Sequence, residues 1–154
     1  MCCAVASRCS STCWGVGFSP SRFAAITSAA TALALSVGAR IDLVTGYEPV
    51  TDTRLREEIA VPQDLHWMVN PRDDAVATLD AAAAEIREAG VQVDVFVRQG
   101  DPADAILDVA EEERAELIVV GNKGMTGAKR FLLGSVPNKV SHHAPCSVMI
   151  IRTT

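Results

Sequence analysis

Leu117-Ile118-Val119-Val120 runs straight into Gly121-Asn122-Lys123-Gly124, and nine residues after Gly124 stand Gly134-Ser135-Val136. A short continuous apolar run bounded by glycine suits a strand buried on both faces. Ser135 opens a short stretch with helical spacing. A strand that ends in a glycine-rich loop and re-enters a helix restricts the chain to α/β architectures. It also suits a phosphate group: glycines let backbone N–H groups approach an anion, and a helix N-terminus adds unpaired donors and a favourable dipole.

The rest of the chain repeats that alternation. Ser19-Pro20, Asn70-Pro71 and Asp101-Pro102 each pair a capping residue with a proline suited to the first helical turn. Phe23, Ile26, Ala30, Leu33 and Val37 follow the first at helical spacing, with Gly38 placed to stop the helix. Val76, Leu79, Ala83 and Ile86 follow the second, with Gly90 as the stop. Ile106, Val109 and Ala110 follow the third, with Asp104 at the third helical position and Glu111-Glu112-Glu113 as a solvated end. Between them lie strand-like runs at Ala39–Gly46, Val91–Val97, Leu117–Val120 and Ser147–Ile151. Strands separated by helices of this length imply right-handed crossovers and a parallel sheet with helices on both faces. Val91–Val97 alternates apolar and polar residues, as an edge strand does. Tyr47–Val69 is irregular and reads as a loop.

Composition narrows the function classes. With 154 residues, 49% hydrophobic and 21% charged, the chain is sized for one globular domain. A net charge of −5 argues against a nucleic-acid-binding surface. The uncharged stretch Phe23–Ala39 is rich in Ala, Ser and Thr and falls short of the roughly 20 apolar residues of a bilayer span. No signal-peptide pattern opens the chain, so a cytoplasmic setting is expected. Four of the five cysteines (Cys2, Cys3, Cys9 and Cys13) crowd the first thirteen residues without a C-x-x-C pair. They read as incidental thiols of an irregular segment rather than a metal site. Cys146 reads as a small core residue.

Catalytic patterns are missing. Gly134-Ser135-Val136-Pro137 is no nucleophile elbow, and Ser135 is better read as an N-cap and phosphate contact. The loop lacks the spacing of a P-loop, and no G-x-G-x-x-G follows a strand. His142-His143 fall in a last helical turn, where they suit the dipole better than a metal. The expectation is a binding protein rather than an enzyme, with slow ATP hydrolysis as its upper limit.

Gly121, Gly124, Gly134 and Ser135 stand at the spacing Gly-x2-Gly-x9-Gly-(Ser/Thr), and the chain resembles the universal stress protein family. Gly100-Asp101-Pro102, Leu132-Leu133-Gly134-Ser135-Val136 and Ala144-Pro145-Cys146-Ser147-Val148-Met149-Ile150-Ile151 extend the likeness, as do Gly38–Val44 and Tyr47-Glu48-Pro49. The resemblance implies a single-domain, open five-stranded parallel sheet of order 3-2-1-4-5, related to the adenine nucleotide alpha-hydrolases. It assigns the nucleotide to Val16, Gly17, Gly46, Val120, Gly121, Gly124, Gly134, Ser135 and Val136. Lys123, Lys129 and Arg130 are candidate phosphate contacts that read equally well as solvated loop charges. The ligand is ATP or, alternatively, cyclic AMP, with Mg2+ as an optional companion of ATP. No other metal, nucleic acid or membrane is implied. A homodimer through Cys146–Ile151 is expected, because an unpaired apolar edge strand invites association.

At the N-terminus the likeness weakens. The family's first strand should end near an Asp, and Trp14-Gly15-Val16-Gly17-Phe18-Ser19 stands there with Gly17 at the Asp position. Residues 1–14 are therefore set apart as atypical, degraded or mis-assigned, with the domain proper over 15–154. The leading function is a stress-response sensor or reservoir for an adenine nucleotide. A nucleotide-independent, dimeric interaction module is the alternative, motivated by Gly17.

Overall fold

A computed structural model describes residues 2–8, 20–47, 71–122 and 133–152, with side chains from residue 23 onward apart from 71 and 74. Three helices begin at prolines: α1 (Pro20–Val37), α2 (Pro71–Glu88) and α3 (Pro102–Glu112). A fourth, α4, spans Ser135–His143. The strands are β1 (Cys2–Arg8), β2 (Arg40–Tyr47), β3 (Val93–Gln99), β4 (Leu117–Gly121) and β5 (Ser147–Ile151). Gly38 and Gly90 follow the first two helices with φ of +68° and +89°, conformations that a side chain would strain.

The strands form one parallel sheet in the order β3-β2-β1-β4-β5. Each face carries its own core. Ile41, Leu43 and Val119 meet Ile26, Ala30 and Ala34 of α1 and Leu79, Ala83 and Ile86 of α2. Val44, Ile118 and Val120 meet Ile106, Val109 and Ala110 of α3 and Val140 of α4. In β2 and β4 alternate residues thus feed opposite cores, and both strands are buried almost throughout, β2 with Asp42 and Thr45 among its buried residues. The helix stripes hold with two exchanges: Ala34 is buried whereas Val37 is about half exposed at the end of α1, and in α2 Ala75 is buried whereas Val76 is half-buried.

The N-terminus departs from the sequence reading. An irregular segment was expected over residues 1–14, with strand one near Trp14–Ser19. Instead β1 is Cys2–Arg8, at the centre of the sheet, with Ala4 in register with Asp42 and Ile118, and Ala6 with Val44 and Val120. Cys2-Cys3-Ala4-Val5-Ala6 lacks the Val/Ile richness of a central parallel strand. Its small residue types are nonetheless among those most often buried, and pairing on both edges satisfies its backbone.

Candidate functional site

The helix after β1 covers one face of the sheet and the helix after β4 covers the other. These two strands are neighbours, so the chain reverses its winding between them. Open α/β sheets bind ligands outside the carboxyl ends of the strands at such a point. Of the glycine motif, the described residues Gly121 and Gly134 stand at the end of β4 and the start of α4, at this edge of the sheet.

Two hydrogen bonds shape its β4 side. The Asn122 N–H donates to the Ile151 carbonyl at 2.8 Å, and the Gly134 N–H donates to the Asn122 carbonyl at 3.0 Å. They bring the end of β4 and the start of α4 together. Gly134 is the N-cap, with φ −62° and ψ 160°, and among the described residues no side chain caps the helix. Ser135, read from sequence as the cap, is instead the first helical residue. The reason is local: the glycine before it adopts the extended cap geometry, which leaves the hydroxyl one position too late to cap. Pro137 has no N–H, and the Asn138 N–H returns to the Gly134 carbonyl at 3.0 Å. The first-turn donors presented at this end are therefore the amides of Ser135, which is exposed, and Val136, which is half-buried. No acidic residue lies in that turn. Such an end fits an anion such as a phosphate group, because unpaired amides and the helix dipole act together.

The neighbouring helix differs. Asp101 caps α3, its Oδ1 accepting from the amides of Ala103 (3.0 Å) and Asp104 (3.2 Å). Burial alone would raise the Asp101 carboxyl, but the Asp104 amide, the Lys139 ammonium and the Ala103 amide outweigh it and hold it below the ordinary carboxylate value. Lys139, in the second turn of α4, reaches Asp104 at 2.6 Å and Asp101 at 3.3 Å. The hydrogen bond that Lys139 donates to Asp104, the largest influence, holds the ammonium above its ordinary value, so it stays charged at neutral pH.

The other assigned residues distribute as follows. Gly121 is half-buried at the end of β4, whereas Val120 is 1% exposed and belongs to the α3/α4 core. Gly46 is buried, and a Cβ there would lie 2.7 Å from the Pro102 Cα and 2.8 Å from the Gly100 carbonyl oxygen. The close approach of β2 to the start of α3 explains this glycine by packing alone. Val16, Gly17, Lys123, Gly124, Lys129 and Arg130 lie outside the described residues, as does most of the loop Tyr47–Val69.

Sequence reasoning missed the long-range ion pairs. Glu112 takes Arg98, which also stacks on Phe96, and Glu113 takes Arg40, so two of the three carboxylates at the end of α3 are engaged rather than merely solvated. Arg40 also approaches the fully buried Asp42 at 3.8 Å. Opposite signs were visible in the sequence, but their pairing across the sheet was not. Cys146 is half-buried just ahead of β5 and not fully in the core; burial pushes its thiol up, against a weaker opposing hydrogen bond involving the Ile118 backbone. His142 and His143 are exposed in the last turn of α4. Among the described residues no group of three or more His, Cys, Asp or Glu is placed to hold a metal, and no helix is long and apolar enough to cross a membrane.

The sheet reversal and the uncapped helix beside it define an open α/β protein of the kind that takes ligands at its strand ends. The model of the universal stress protein family matches residues 13–152, and the chain belongs to that family. The match begins after β1. The chain is 38% identical over 118 residues to a universal stress protein of Thermus aquaticus, covering 75% of this chain and 79% of the relative. It is 36% identical over 107 residues to universal stress protein YxiE of Bacillus subtilis, covering 67% and 71%. A crystal structure of a universal stress protein in complex with cAMP superposes with a TM-score of 0.66 at 25% identity, over 98% of this chain and 97% of that one.

Proposed function

We propose that the protein binds an adenine nucleotide at the carboxyl ends of β1 and β4 and acts as a stress-response sensor or reservoir. The phosphates rest on the Ser135 and Val136 amides. ATP is the leading ligand and cyclic AMP the alternative. The uncapped start of α4, closed against β4 through Asn122 and Gly134, carries this reading. A related protein in complex with cAMP supports it. With ATP, Mg2+ would be held chiefly by the phosphates themselves. Turnover is at most slow, since the sequence offers no paired nucleophile and base. Titrating the purified protein with ATP and cyclic AMP tests the reading: saturable binding of one of them is expected, and no saturation below millimolar for either overturns it.

The protein is further proposed to form a homodimer through β5, in a sheet ordered 3-2-1-4-5. Met149 and Ile150 are 39% and 38% exposed on this edge strand. The opposite edge, β3, carries Asp94 and Arg98 instead, charges that discourage strand pairing. Light scattering at micromolar concentration should give a dimer mass, and Ile150→Glu should give a monomer. A monomeric wild-type protein would contradict the dimer. The same apolar edge also favours the second reading, a nucleotide-independent interaction module. That reading gains if Gly17 at the expected Asp position has removed nucleotide affinity while dimerisation persists.

A further inference from the structure

Lys139 sits one helical turn beyond the open end of α4, about 6 Å along the axis from Ser135. Its ammonium contacts Asp104 and Asp101, both on the neighbouring helix and both near the carboxyl edge of the sheet. Two carboxylates are thus tied to the helix whose start suits an anion, and among the described residues Lys139 is the cation that offsets them. All three side chains are roughly half exposed, so the group contributes little to stability. Its field is a different matter. Repulsion between a carboxylate and an anionic ligand scales with the charge of the ligand and survives when ionic strength is low.

We propose that Lys139 is a specificity-determining residue: by offsetting Asp101 and Asp104 beside the α4 N-terminus, it sets how highly charged a nucleotide that end accepts. The inference rests on the nucleotide-binding reading and deepens it. A polyanionic triphosphate feels the balance of these three groups several times more strongly than a singly charged cyclic phosphodiester. Loss of Lys139 penalises the first and nearly spares the second. Removal of Asp104 has the opposite sign, because the ammonium is then less offset.

Calorimetric titration of the full chain with ATP and with cyclic AMP, at low and at high salt, tests this. At about 10 mM salt, Lys139→Met should weaken ATP about fivefold and cyclic AMP less than twofold. Lys139→Arg should restore wild-type values. Asp104→Asn, which leaves Lys139 in place, should tighten ATP about two- to fivefold, an improvement that a merely structural role would not produce. All these differences should shrink at 0.5 M salt, since screening reduces them to about the error of the measurement. Equal losses for both ligands, losses that persist at high salt, or no gain from Asp104→Asn would overturn the assignment while leaving nucleotide binding intact. Absence of binding by the wild-type protein would overturn the nucleotide reading itself, and this assignment with it.

Discussion

Helices α3 and α4 begin at the same edge of the same sheet and pack on the same face, yet their first turns are built in opposite ways. At α3 a carboxylate from Asp101 takes two of the first amides, Pro102 is wedged against Gly46, and a lysine from next door neutralises the acid. At α4 the cap is a glycine, among the described residues no side chain accepts from the first turn, and the Gly134 N–H donates to the Asn122 carbonyl behind it. The first arrangement completes a helix and closes it. The second leaves the first-turn amides without a side-chain partner among the described residues, beside the point where the sheet reverses its winding. A side chain that satisfies a helix end removes that end as an anion site, so the absence of a cap is the informative feature.

Substitutions at each end probe the contrast. The largest effect should come from Gly46→Val, which forces a side chain into the Pro102 and Gly100 backbone and should cost about 3 kcal/mol in thermal or urea unfolding. Retention of wild-type stability would show that the start of α3 is not anchored there. Gly134→Asp gives α4 the closure that α3 has. It should raise stability by a few tenths of a kcal/mol and weaken ATP about tenfold or more, as a fixed carboxylate competes for the Ser135 and Val136 amides. Unchanged affinity would erase the functional distinction between the two ends. Asp101→Ala uncaps α3 at a cost of about 1 kcal/mol, whereas Asp101→Asn should retain most of the cap.

The smallest effect is on pH dependence. The Asp101 carboxyl is held below its unfolded value, so its contribution is full above the unfolded value and fades as pH falls through the folded one. The stability difference between wild type and Asp101→Asn should therefore narrow between about pH 5 and pH 2. A constant difference across that range would mean that the Asp101 charge plays no part in the cap.

Much of this was legible in the sequence, and the unreadable parts have common causes. Ser19-Pro20, Asn70-Pro71 and Asp101-Pro102 marked three helix starts because local backbone chemistry decides them. Leu117–Val120 and Ser147–Ile151 announced strands through apolar runs alone. The first strand did not announce itself: Cys2–Arg8 owes its place to partners on both sides, and Ala and Cys carry little local preference for strand. The packing role of Gly46 could not be read, because Pro102 and Gly100, which a Cβ there would meet, lie more than fifty positions later. Gly134 and Ser135 exchanged roles because either residue type can occupy an N-cap, and only backbone angles separate them. Nothing in the sequence singled out Lys139, because its partners lie more than thirty positions earlier.

The central claim is that the Ser135 and Val136 amides at the start of α4 carry the ligand, and amide chemical shifts during an ATP titration address it residue by residue. The account predicts saturable shifts at Ser135 and Val136, with Ala103 and Asp104 nearly unmoved because Asp101 already holds them. Saturable binding that leaves Ser135 and Val136 in place, or that moves the α3 amides instead, would contradict it.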